Sequence, residues 1–254
     1  MVDTHAHLSV CEPEDAELVA TAEAAGVGRI LTIGLDEESN SEAVAAAERF
    51  EPVFAAVGRH PNSAAGFDAA AAGAVDRLAA NPLVRAVGET GLDYYRDRAP
   101  RADQRNAFAS QVEIAQRHAL PVVIHVRDRD GSTEAVDEVF AMLDEMDARS
   151  VVLHCFSAPA RAGDASERGW LCSFAGNVTY PRAEELRAAA AAIPDELLLV
   201  ETDSPFLAPQ PVRGRPNQPA NVVATARAVA EARGVSYEEL ERLVDANAAR
   251  VFAW

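Results

Sequence analysis

Short apolar runs rich in β-branched residues alternate along the chain with longer segments whose apolar residues recur at helical spacing. The runs Met1–Leu8, Gly28–Gly34, Pro52–Gly58, Val84–Glu89, Pro121–Val126, Ser150–His154, Trp170–Phe174 and Glu196–Glu201 predict eight strands. Between them Glu14–Ala25, Glu37–Phe50, Ala102–His118 and Thr133–Met146 carry helical spacing, and Tyr237–Val251 predicts a last helix. Pro13 ahead of an acidic turn and Gly26 after the last periodic residue mark the start and stop of the first helix. The alanine runs Ala69–Ala74 and Ala188–Ala192 suit helix surfaces, and the proline-rich Ala208–Asn221 reads as an ordered loop after the eighth strand.

The strands are continuous apolar runs, the pattern of a parallel sheet covered on both faces. Eight strand–helix units in 254 residues predict the α/β class and one (β/α)8 TIM-barrel domain over 1–254. A doubly wound open sheet is the rival. It usually has fewer strands and often a glycine-rich phosphate loop, and the chain has neither G-x-G-x-x-G nor a Walker pattern.

Charge narrows the function. Forty acidic residues against 23 basic ones leave a net charge of −17, which argues against gripping nucleic acid through a broad positive surface. Every basic residue is arginine, so no lysine is available for catalysis or for a metal-bridging carbamate. Cys11, Cys155 and Cys172 show no C-x-x-C spacing, hence neither a disulfide framework nor a thiolate zinc site. With no apolar run of about 18 residues and no basic, then apolar, start, the chain reads as soluble and cytoplasmic. No membrane contact and no obligate protein partner is expected.

Barrel enzymes build their sites at the C-terminal ends of strands. Here strand one ends in Asp3-Thr4-His5-Ala6-His7, and positions i and i+2 point to one side, so His5 and His7 share a centre. Strand four ends in Glu89, strand five in His125, strand six in His154, and strand eight runs into Asp203. Each alone has a blander reading: His154 as a hydrogen-bonded core residue, Glu89 as a helix cap, Asp203 as an Asx-turn residue before Ser204-Pro205. Together, four histidines and two carboxylates on one rim would be costly to bury without cations. They suffice for two divalent ions. The imidazoles favour zinc and phosphoryl chemistry favours magnesium or manganese, so the sequence leaves the metal open.

Six segments then carry a family resemblance: DTHAHL (Asp3–Leu8), GRHP (Gly58–Pro61), GETGLDYY (Gly88–Tyr95), VIHVRD (Val123–Asp128), HCFS (His154–Ser157) and ETDSPFLAPQPVRGRPNQP (Glu201–Pro219). In order and spacing the chain resembles, over essentially its whole length, the TatD family of metal-dependent hydrolases. These are amidohydrolase-like barrels that include TatD-type deoxyribonucleases. The resemblance implies one ion on His5, His7, Glu89 and Asp203 and another on Glu89, His125 and His154, with Glu89 bridging. Related barrels that bridge through a carboxylated lysine are disfavoured, because this chain has none. It departs from the family at Asn62, where a second histidine is common, at Ala158 in place of glycine, and at Arg215 and Gln218 in the late loop. None is an expected ligand; they bear on substrate range.

The expected activity is a deoxyribonuclease or phosphodiesterase acting on nucleic-acid ends, single-stranded DNA or another phosphodiester being the partner. Two cations would acidify a shared water to hydroxide near neutrality, with Glu89 and Asp203 as the catalytic carboxylates and Asp203 orienting that water or taking its proton. The alternatives are a hydrolase of a small ester or amide, including an aminoacyl-tRNA deacylase, and a barrel that binds metal only for structure. His60 and Arg127 are expected to bind substrate. Arg59, Arg213 and Arg215 also follow strand ends, Tyr94 and Tyr95 are candidates to stack a base, and Cys155 reads as packing.

Overall fold

The computed structural model describes residues 1–254. Its eight strands are all parallel and pair in chain order: β1 Val2–Ala6, β2 Arg29–Ile33, β3 Val53–Val57, β4 Val84–Asp93, β5 Val122–Arg127, β6 Val151–Leu153, β7 Leu171–Phe174 and β8 Leu198–Val200. The sheet comes round on itself just past β8. There Ala6 bridges Ser204, the His7 N–H donates to Ser204 O at 2.8 Å, and the Asp203 N–H donates to His5 O at 2.9 Å. That closing contact lays Asp203 beside the two histidines of β1.

Nine helices surround the barrel: α1 Asp15–Ala24, α2 Glu37–Arg49, α3 Ala69–Ala79, α4 Arg101–His118, α5 Glu134–Glu145, α6 Ala162–Glu167, α7 Glu184–Ala192, α8 Val222–Arg233 and α9 Tyr237–Phe252. All but α1 and α7 pack directly on strands. In α5 the buried residues are Ala135, Val136, Val139, Phe140 and Leu143, the three-and-four spacing of a single helix face. Phe140 meets Trp170 edge to face at 4.9 Å between ring centroids, and burying a ring of that size stabilises by about 1.5–3 kcal/mol. No helix is long and apolar enough to cross a membrane.

Several boundaries move. β4 was expected to stop at Glu89 but runs on to Asp93, so Glu89 lies inside the strand. β8 is shorter than expected, and Asp203 and His154 lie just beyond their strands. The alanine runs do fall in helices, α3 and α7, while α8 fills a stretch to which no element was assigned. The late loop holds two short 3-10 turns, Gln210–Val212 and Pro219–Asn221.

Candidate metal centre

Glu89 is placed by glycines. Gly88 and Gly91 have φ of +144° and +137°, values that side-chain-bearing residues rarely adopt. A Cβ on Gly88 would lie 2.6 Å from Val123 O, and one on Gly91 would lie 2.0 Å from His125 O. β4 thus lies closer to β5 than any side chain would permit. The Glu89 carboxylate, 3% exposed, ends up among five imidazoles.

Its two oxygens face different sets. Oε2 is 3.3 Å from His5 Nε2 and 3.6 Å from His7 Nε2. Oε1 is 2.7 Å from His125 Nδ1, 3.1 Å from His154 Nε2 and 3.6 Å from His60 Nε2. Asp203 Oδ1 stands on the Oε2 side, 3.4 Å from His7 Nε2 and 3.9 Å from His5 Nε2. All eight expected residues but Arg127 therefore meet at one point, and Arg127 lines the cleft above it.

The outer partner of each imidazole decides what its inner nitrogen can do. His7 Nδ1 is 3.1 Å from the carbonyl of Ile33, which only accepts, so the proton sits on Nδ1 and Nε2 presents a lone pair. His154 Nδ1 faces Glu201 Oε1 at 2.9 Å, with the same consequence. His125 Nε2 stands 3.3 Å from Asp93 Oδ2 without a hydrogen bond, and its Nδ1 lies 2.7 Å from Glu89 Oε1. His60 is the reverse. Its Nδ1 accepts the Asn62 N–H at 3.0 Å, so the inward Nε2 carries hydrogen and acts as a donor, not a ligand.

The donor set fits divalent cations. His5 Nε2 and His7 Nε2 approach to 3.3 Å, inner lone pairs converge in a buried space, and His5 Nδ1 has no partner. Ligand atoms of His5, His7 and Glu89, of His5, His154 and Asp203, and of His60, Glu89 and His125 each cluster within 4.8 Å. His60 drops out of the last trio by its tautomer.

The electrostatics keep both carboxylates ionised. Burial pushes Glu89 up, but the imidazoles around it, His154 foremost, outweigh burial and hold Glu89 well below the ordinary range. Burial likewise raises Asp203, and His7, His154 and His5 bring it down. Burial moves His60 down to about 3, so it is neutral at pH 7. Cys155 is pushed far up, first by burial, and stays a thiol.

The centre opens into a cleft of about 1620 Å³. Four candidates for its rim drop out. Arg59 is tied to Glu37 and to Ser63 O, Arg213 stacks on Tyr180 at 3.8 Å, and neither they nor Arg215 line the cleft. Tyr94 is buried, with its hydroxyl on Glu138 at 2.5 Å, and offers no face to a base. Tyr95 is 49% exposed, and the Arg127 guanidinium lies over its ring at 4.1 Å.

Two carboxylates escaped the sequence reading as site residues, Glu201 behind His154 and Asp93 behind His125. Spacing held a signal for both. Glu201 stands two residues before Asp203 and Asp93 four after Glu89, even intervals that on a strand share a face.

The TatD-related DNase family profile matches residues 2–253. TatD of Mycobacterium tuberculosis, a metal-dependent hydrolase, is 40% identical over 264 residues, covering 99% of this chain and 97% of its own. The 3′-5′ ssDNA/RNA exonuclease TatD of Cronobacter sakazakii is 36% identical, covering 93% and 90%. The crystal structure of YJJV, a TatD homologue from Escherichia coli, superposes with a TM-score of 0.91 at 29% identity over 100% of this chain and 98% of that one. With a barrel of the same topology and a whole-length match, the chain belongs to the TatD-related DNase family of metal-dependent hydrolases.

Proposed function

We propose that the protein is a two-cation phosphodiesterase that cleaves single-stranded nucleic acid from an end. The observation that carries this reading is Glu89, whose two oxygens each face a separate set of histidines. His5, His7, Glu89 and Asp203 would hold one divalent ion; Glu89, His125 and His154 would hold the other. When bound, the ions supply Lewis acidity and lower the pKa of water at the centre.

The chain's own groups do the rest. Asp203, ionised and 13% exposed at the cleft floor, orients the attacking water and accepts its proton. His60 donates its Nε2–H to a phosphate oxygen, and Arg127 draws the substrate's charge onto the rim. Net charge limits the footprint. A protein at −17 gathers few phosphates, which suits a strand end and disfavours a long duplex. The exonuclease relative is consistent with that choice.

The test is hydrolysis by protein reconstituted with zinc, magnesium or manganese. Labelled single-stranded DNA is paired with a panel of carboxylic esters, amides and phosphodiesters. Release of nucleotides from one end is expected. Turnover of carboxylic esters or amides alone would replace this reading with the small-substrate or deacylase alternative.

A further inference from the structure

We propose that Arg96, Arg98 and Arg127 form a phosphate-binding wall for the nucleotides next to the scissile linkage. This rests on the nuclease reading above and names the groups that would prefer a strand to a small ester. All three line the cleft and are exposed.

Their lack of partners sets them apart from other arginines in and around the cleft. Arg101 is engaged by Asp97 and Glu134, Arg129 by Asp97, and Arg161 by Asp137 and Asp164. Asp97 stands in sequence between Arg96 and Arg98, yet pairs with Arg101 and Arg129 instead. No carboxylate lies within 4.0 Å of the Arg96, Arg98 or Arg127 guanidinium in a chain that carries 40 acidic residues. Asp128, beside Arg127, is occupied by the N–H groups of Ala135 and Val136 at the start of α5. Three unneutralised guanidinium groups facing one space repel each other and gain by taking anions, and their planar forks match phosphate.

The wall is also fixed relative to the centre. Asp93 Oδ1 accepts the N–H of Tyr95 at 3.1 Å and of Arg96 at 2.8 Å. Asn62 donates to Asp93 Oδ2 at 2.8 Å and accepts the Arg98 N–H at 3.4 Å. Asp93 Oδ2 in turn faces His125. The loop bearing Arg96 and Arg98 is thus pinned to the same carboxylate that stands 3.3 Å from His125, beside Glu89. Tyr95, stacked under Arg127, adds a flat exposed face on which a base can lie.

The experiment compares wild type with Arg96→Ala/Arg98→Ala, both metal-reconstituted, on a single-stranded decanucleotide and on bis(p-nitrophenyl) phosphate. Salt is varied between about 50 and 200 mM. The ratio of kcat/KM for the decanucleotide over the small diester is expected to fall about tenfold or more. The slope of log(kcat/KM) against log salt for the decanucleotide should become shallower by about 1.4, from ~0.7 per phosphate on single strands. Arg96→Lys/Arg98→Lys should keep most of that slope, since the charges remain. Equal melting temperatures show that the variants fold. An unchanged ratio and slope in the alanine variant overturn the wall while leaving the nuclease reading intact. Wild type that hydrolyses the small diester but no nucleic acid overturns that reading, and the wall with it.

Discussion

Glu201 Oε1 lies 2.9 Å from His154 Nδ1 and accepts the Cys155 N–H at 2.8 Å, so one buried carboxylate fixes both the ring and the backbone that carries it. Cys155 has φ of +43°, and this contact helps hold that turn. Glu201→Gln keeps the shape but loses the charge that fixes the His154 tautomer. Metal affinity, read by competition with a chelating dye, should fall about 10–100-fold. Unaltered affinity would leave Glu201 with a packing role alone.

Asp203 is the group expected to take the proton. Its φ of +55° is one that aspartate and asparagine tolerate better than most residues, so Asp203→Asn preserves the backbone. The variant should fold, keep at least one metal ion, and lose about 10²–10⁴-fold in kcat. Near wild-type turnover in a metal-loaded, stable variant would remove Asp203 from the chemistry.

Gly91→Ala should be strongly destabilising, because its Cβ would sit 2.0 Å from His125 O at φ +137°. Backbone strain and overpacking together are expected to cost about 2–5 kcal/mol in urea unfolding. The damage centres on β4 and β5, so metal affinity should drop as well. A loss below about 1 kcal/mol would mean the two strands part more easily than this packing implies.

Asp36 caps α2, its side chain accepting the Ser39 N–H at 3.0 Å while the Ser39 hydroxyl accepts the Asp36 N–H. The Ser39 hydroxyl bond is the main reason its carboxyl lies below the ordinary 3.8. Asp36→Ala should cost about 1 kcal/mol at pH 7. A depressed folded-state pKa stabilises above the unfolded value and not below the folded one. The gap between wild type and variant should therefore be full near neutrality and shrink as pH falls through the acid range below 3.8. Melting curves of both proteins at two pH values check the sign.

Much of the barrel was legible because buried parallel strands are unbroken apolar runs, and the ligand candidates because H-x-H and strand-end carboxylates have fixed parity. The expected β4 ends at Glu89, short of Gly91, which looks like punctuation; in the fold Gly88 and Gly91 are the price of close strand contact. Asp93 was lost with the missing half of that strand. Other outcomes depend on packing between distant segments. Nothing local tells that Arg59 meets Glu37 or that the Tyr94 hydroxyl finds Glu138 across α5. The tautomer that makes His60 a donor depends on a backbone N–H two residues on, whose direction only the turn Pro61–Ser63 sets.

The most direct test of the centre is anomalous diffraction from crystals loaded with zinc or manganese. Two peaks are expected, one on each side of the Glu89 carboxylate and about 3.5–4 Å apart. The first should touch His5, His7 and Asp203, the second His125 and His154, with His60 bound to neither. A single peak, or peaks remote from Glu89, would contradict a two-cation centre bridged by that residue.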